Sequence, residues 1–338
     1  MSSPHPTAPA SPIEKGSAFA EANWLRRAPI QPLLAPIWLG CERPGTELGP
    51  HVLSEGLKVR WNRADRRHLQ ADLLPPIEVP APAPADALAR LHRGTLEFLP
   101  EIAAAVVPLA DEVERAIREG HLPVTMGGDH ALAIGTIAGA SRACGRLGMI
   151  WLDTHPDLNV PSSSESGHIH GMPVGIATGL ANEELPELGA LAGKERMIDP
   201  RDICMLGVRD IDPFEREMIR RHGVWGLSMD EWSDLGIVEG LLRAMSYMEG
   251  RGVDAIHVSF DLDVLDPPIM PGTGTRYQGG LSVREASRAL RMLSDWKAPI
   301  HSLDIVELNP LLDLEGHSNE IAIHLMGTAL GERMALNG

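Results

Sequence analysis

Three short stretches of the chain carry carboxylates and imidazoles at alternate positions. Asp153-Thr154-His155-Pro156-Asp157 sets an imidazole between two carboxylates, and Asp261-Leu262-Asp263 repeats the acidic pair further on. In extended backbone, alternate side chains point to the same side, so each group converges. Carboxylates gathered in this way repel one another and resist burial unless a cation neutralises them. His130, which follows Gly127-Gly128-Asp129, adds a second imidazole. Two imidazoles with four carboxylates form an oxygen-rich donor set, suited to Mn²⁺-like ions rather than to the thiolate sites of structural zinc. Six ligands exceed the need of one ion with an open position. Two ions about 3.5 Å apart, bridged by carboxylates, use them all and can turn a shared water into hydroxide near neutral pH. One Asp-x-Asp alone is most simply a turn at a strand end; the whole set is not. A fourth polar cluster, Glu307-Leu308-Asn309-Pro310, follows another apolar run.

These clusters need elements that aim them at one place. Apolar runs of strand length occur at 36–39, 122–126, 149–152, 203–206, 224–227, 255–260 and 300–306. Helical periodicity fills the gaps at 98–118, 130–142, 214–221, 237–248, 283–296 and 320–334. Strands spaced by helices of this length predict β-α-β units and a three-layer α/β/α fold around a mainly parallel sheet. In such a sheet, ligands gather beyond the carboxyl ends of the strands. The clusters sit at those ends. The Glu and Arg run over 215–221 reads as a solvated helix face.

The remaining composition sets limits. The chain has 338 residues and a formal charge of −16, which argues against a nucleic-acid partner and suits metal cations or a small cationic ligand. No apolar run reaches membrane-spanning length and no secretory signal pattern opens the chain, so the expected partner list has no membrane and the expected location is cytoplasmic. Cys41, Cys144 and Cys204 are far apart and read as reduced thiols. Residues 1–28, rich in Ser, Pro and Ala, read as a flexible arm before a single catalytic domain over 29–338. The prolines of 74–86 read as a surface insertion that forms neither helix nor sheet ladder.

The motifs resemble those of the ureohydrolase (arginase/agmatinase) family, most of all arginases. Gly127-Gly128-Asp129-His130-Ala131-Leu132-Ala133-Ile134-Gly135 is similar to the first family signature, and Asp153-Thr154-His155-Pro156-Asp157 to its D-A-H-x-D element. The run from Ser259 through Asp266-Pro267 to Gly279-Gly280-Leu281 resembles the third. The resemblance implies an arginase-like α/β fold and two Mn²⁺ per subunit, one held by His130, Asp153, Asp157 and Asp261. The other would be held by His155, Asp153, Asp261 and Asp263, with Asp153 and Asp261 bridging. It implies attack of a bridging hydroxide on a guanidinium carbon, releasing urea and an amine, in a homo-trimer or homo-hexamer. Asp157, His170 and Glu307 are then catalytic: Glu307 pairs with the guanidinium, and His170 shuttles protons to the leaving amine.

Substrate choice is carried by the segment from Asn159 to Pro173, whose Asn159-x₆-Ser166-Gly167-His168-Ile169-His170-Gly171 pattern looks like the arginase loop. The resemblance assigns Asn159, Ser166 and the neighbouring His168 to the carboxylate end of a substrate, Asp212 to its amino end, and Thr275 to the wall. Four positions depart from the family pattern: His168 replaces Asn, Arg276 replaces Pro, Thr154 replaces Ala, and a Pro stands at 156. L-arginine, cleaved to L-ornithine and urea, is the leading substrate expectation. Agmatine or another guanidino acid is the alternative within hydrolysis. A non-catalytic guanidino-binding protein and a zinc deacylase on a related fold are readings from other classes; all six ligands being present disfavours both.

Overall fold

The computed structural model describes residues 23–62, 72–80, 84–90, 95–313 and 315–333. Eight strands form one sheet: β1 (Ile30–Ala35), β2 (Ile77–Glu78), β3 (Leu122–Gly127), β4 (Leu147–Leu152), β5 (Ile203–Val208), β6 (Trp225–Ser228), β7 (Ala255–Asp261) and β8 (Ile300–Val306). Their order across the sheet is β2-β1-β3-β8-β7-β4-β5-β6, and every pairing is parallel. Strands β3, β4, β5, β7 and β8 are buried along their whole length. Helices on both faces produce that burial, which explains why these strands read as continuous apolar runs rather than as alternating ones.

The longer helices are α1 (Gly49–Trp61), α2 (Leu99–Arg118), α3 (Ala133–Ala143), α4 (Pro213–His222), α5 (Ile237–Arg251), α6 (Val283–Asp295) and α7 (His317–Ala329). On one face α2 packs along α3. On the other, α1, α7, α6 and α5 lie side by side in that order. The approach of α3 to α2 depends on small residues: a methyl added at Gly135 would lie 2.6 Å from the Val106 carbonyl. No helix among the described residues is long and apolar enough to cross a membrane.

Several expectations are corrected. The first strand is 30–35, not 36–39, because Pro36 has no N–H to extend the ladder. The chain turns there, and the Ile37 carbonyl instead accepts from the Asp129 N–H at 2.7 Å. The proline-rich stretch does contain ladder residues: Ile77 and Glu78 pair with Leu33 and Leu34 as an edge strand, the place where prolines are tolerated. Of the arm read at 1–28, residues 1–22 lie outside the described residues, whereas Trp24 and Leu25 are buried in the core. The Asn23 amide fixes them there by donating to the Leu293 and Trp296 carbonyls at the end of α6. Helix α1 has no counterpart among the expected elements, since its apolar face is thin. Helix α7 starts earlier than the expected 320, at His317, and ends at Ala329.

Four adjacent central strands, β3, β8, β7 and β4, therefore release the four polar clusters side by side at their carboxyl ends. Gly128, directly after β3, has no room for a side chain: a methyl would stand 2.1 Å from the Ile37 carbonyl oxygen and 2.7 Å from that of Ala35. Gly128→Ala is expected to cost about 1–3 kcal/mol of stability. Urea unfolding measures this, and an unchanged midpoint would contradict the close approach.

Candidate metal centre

His130 lies in a single helical turn that Asp129 caps by accepting from the Ala131 N–H at 2.9 Å. Its ring is stacked on Trp151, with centroids 4.1 Å apart and planes 2° from parallel. Nε2 bonds to the Ser259 hydroxyl at 2.8 Å. Nδ1 then faces one oxygen each of Asp153 (3.0 Å), Asp261 (3.1 Å) and Asp157 (3.2 Å). One N–H cannot serve three acceptors, and Nδ1, although buried, makes no hydrogen bond of acceptable geometry. The other oxygen of Asp153 faces Nδ1 of His155 at 3.4 Å, and Asp263 faces the same nitrogen at 3.2 Å. Asp153 thus belongs to two groups of donor atoms, each compact enough to hold a metal ion.

Electrostatics point the same way. Burial and the neighbouring Asp153 push Asp157 up to about 6. Burial, with Asp263 and Asp153 nearby, holds Asp261 well above the usual carboxylate range. Asp153 alone is held below that range: burial opposes its ionisation, but His130 and His155 overcome that effect. Protons stand in for cations here. The buried nitrogen without a hydrogen bond, the convergent oxygens and the charge deficit all fit a pair of hard divalent ions.

The expected residues largely converge. His130, His155, Asp157, Asp261, Asp263, Asn159, Ser166, His170, Asp212, Thr275 and Glu307 line one cleft of about 150 Å³, and Asp153 lies buried at its floor. Glu307 is buried rather than a surface residue: one oxygen accepts from the His130 N–H at 2.8 Å and pairs with Nδ1 of His170 at 3.0 Å. Against the opposing effect of burial, that pairing lifts His170 to about 9. Asp157 and Glu307 have positive φ, 49° and 66°, the only non-glycine residues to do so among those described. Such backbone costs about 1–2 kcal/mol per residue and is retained where it aims a side chain. The Asn159 amide donates to Asp212 at 2.9 Å. One expected substrate residue is not brought into the cleft lining: His168 stands outside it, its ring centroid 5.8 Å from that of His170. Arg276 is exposed, and its Nε donates to the Thr273 carbonyl.

Some functional residues went unread. Ser259 and Trp151 fix the ring of His130, yet both looked like ordinary strand residues. Glu215, expected on a solvated face, is buried in the cleft wall and accepts from the Leu158 and Asp212 N–H groups at 2.9 and 3.0 Å; burial raises it to about 7. The signal was the Asp212-x-x-Glu215 capping-box spacing.

A parallel α/β sheet whose adjacent strand ends gather acids and imidazoles into paired metal-binding groups defines the general class of this protein. Residues 33–331 match the model of the arginase family. An arginase of Staphylococcus aureus (strain COL) is 38% identical over 301 residues, covering 89% of this chain and 96% of that one. The crystal structure of arginase from Bacillus subtilis superposes with a TM-score of 0.79 at 32% identity, covering 91% of this chain and all of that one. The Entamoeba histolytica arginase in complex with L-ornithine superposes with a TM-score of 0.77 at 27% identity, over 90% of this chain and 99% of that one. The chain belongs to the arginase family, and it is a hydrolase acting on amidino or guanidino bonds.

Asp157 and Asp261 bind protons more tightly in the folded chain than in the unfolded one, and so do His130 and His155. Their contribution to the ion-free fold is complete at low pH and is lost as pH rises through about 6 and beyond. Added Mn²⁺ replaces those protons. The rise in melting temperature on adding Mn²⁺ is therefore expected to be larger near pH 8 than near pH 5.5. An equal or smaller rise at the higher pH would contradict the assignment.

Proposed function

We propose that this protein is a dinuclear manganese arginase, cleaving L-arginine to L-ornithine and urea. The observation that carries the reading is Glu307. Its carboxylate is buried, held through one oxygen by the His130 N–H and the His170 ring, and set beside the Asp153–Asp263 cluster with its second oxygen left for a ligand in the cleft. A guanidinium is a planar cation that pairs with carboxylates, and a buried acceptor of this kind both binds and orients it. In the same reading His130, Asp153, Asp157 and Asp261 hold one ion and His155, Asp153, Asp261 and Asp263 the other.

Divalent ions bound there supply a nucleophile from water at neutral pH and take up developing negative charge. The protein's own groups do the rest. Glu307 fixes the guanidinium plane over the cluster. His170, cationic through its pairing with Glu307, carries a proton at the cleft wall where a leaving amine would need one, the position of a general acid. Asp157, held in strained backbone, faces Nδ1 of His130 at 3.2 Å. At the outer end, Asp212 offers a carboxylate to an α-amino group. Asn159 and Ser166 offer amide and hydroxyl groups to an α-carboxylate, and Thr275 lines the wall of the same cleft.

This arrangement suits an amino acid better than agmatine, which has no carboxylate to use those donors. The exposed apolar side chains Val238 and Leu242, one turn apart on α5, suit contact with further copies of the chain in a homo-oligomer.

Urea release by the Mn²⁺-loaded protein from arginine, agmatine and shorter guanidino acids, measured side by side, should be fastest with arginine. A clear preference for agmatine would overturn the roles given to Asn159 and Ser166. His170→Asn is expected to lower kcat by about 10²–10⁴-fold with both ions retained; unchanged turnover would remove His170 from proton transfer. Asp261→Ala should abolish turnover and release metal, and retention of two tightly held ions in that variant would refute its bridging role.

A further inference from the structure

Thr154 lies between two residues of the metal centre, yet its side chain contributes nothing to the cleft. It is fully buried, and its hydroxyl donates to the main-chain carbonyl of Asp263 at 2.8 Å. Its N–H also approaches the Asp263 carboxylate at 3.3 Å. The position of this bond in the sheet gives it meaning. Strands β4 and β7 are laddered as far as Leu152 opposite Phe260. Beyond that pair the β4–β7 ladder ends, although Asp261 still pairs with Val306 of β8 and the Asp153 N–H still donates to the Leu206 carbonyl of β5. The Thr154 hydroxyl restores one cross-strand link past the end of the ladder, between the two segments that supply Asp153, His155 and Asp263.

The far side of the same joint is also held. The Thr154 carbonyl accepts from the Arg209 and Asp210 N–H groups at 2.9 and 3.1 Å. The Arg209 guanidinium donates to the carbonyls of Asp263 (2.9 Å), Val264 (3.2 Å), Leu265 (3.2 Å) and Tyr277 (2.8 Å). It fills space that only glycine leaves open, since a methyl at Gly280 would stand 2.6 Å from its Nη2. The Asp263 carbonyl thus has two donors, one from the segment after β4 and one from the segment after β5.

We propose that Thr154 is a positioning residue for the second half of the metal centre, tying His155 and Asp153 to Asp263 so that this half is in place before an ion arrives. An alanine at this position, as in the motif the segment resembles, has no donor to make the tie. Ligands fixed in advance lose less freedom on binding, and hydrogen bonds that orient metal ligands are commonly worth 10–100-fold in affinity. The inference rests on the reading of the cluster as a two-ion centre and deepens it.

Mn²⁺ titration calorimetry, with the ions retained after dialysis counted by mass spectrometry, tests it on the full chain and on Thr154→Val, Thr154→Ala and Thr154→Ser. Valine keeps the side-chain volume, and Arg209 still serves the Asp263 carbonyl, so the fold is expected to hold; thermal unfolding checks this, and the smaller alanine variant gives the same readout if valine does not fit. The valine and alanine variants should bind one of the two ions about 10-fold more weakly or worse, leave the other unchanged, and be rescued by serine. Wild-type affinity for both ions in the valine and alanine variants, or serine no better than alanine, would overturn the proposal. Fewer than two ions on the unmodified protein would instead refute the two-ion reading and take the proposal down with it.

Discussion

Four aspartates buried within reach of one another dominate the energetics of this molecule. Their mutual repulsion is strong in a site that excludes water, and the two imidazoles among them can offset only part of it. Among the described residues no Lys or Arg forms an ion pair with any of the four. Arg209, a cation near Asp263, gives its guanidinium hydrogen bonds to main-chain carbonyls. The donors are grouped so that they could receive metal cations. The strained backbone of Asp157 and Glu307 and the close approaches at Gly128 follow from having to place so many polar groups at one spot.

The parallel sheet makes that placement possible. Strands β3, β8, β7 and β4 are neighbours, so one crossing of the sheet brings together His130, Glu307, Asp261 and Asp153 from widely separated parts of the chain. Side-chain contacts then refine what the strands deliver. Trp151 and Ser259 set the plane of the His130 ring and engage its Nε2 side, leaving Nδ1 facing the aspartates. Glu307 spends one oxygen on its supports and keeps the other for a ligand. The acidic floor and the Glu307 wall are thus parts of one arrangement, built by adjacent strand ends.

Much of this was legible in the amino-acid order because the relevant rules are local. The residue types of Asp153, His155 and Asp157 mark the site, although the chain bends after β4 and positive φ at Asp157, not extended alternation, aims its carboxylate; apolar runs mark buried parallel strands. What escaped depended on contacts between distant segments. The first strand was displaced because Pro32 and the polar Gln31 disguise a buried run, while 36–39 looks more apolar and yet serves the Asp129 loop. Glu215 resembles any charge on a surface helix until the Leu158 backbone is found against it. His168 is adjacent in sequence to cleft residues, but it precedes the turn at Ile169–Gly171 and stands outside the cleft lining, its ring centroid 5.8 Å from that of His170.

The central claim is that two divalent ions, sharing Asp153 and Asp261, neutralise the buried acids. Diffraction from Mn²⁺-grown crystals recorded at the manganese absorption edge tests this most directly. The account predicts two anomalous peaks per chain about 3.5 Å apart, one beside His130 and one beside His155, with Asp153 between them. A single peak, or none among these residues, would contradict it.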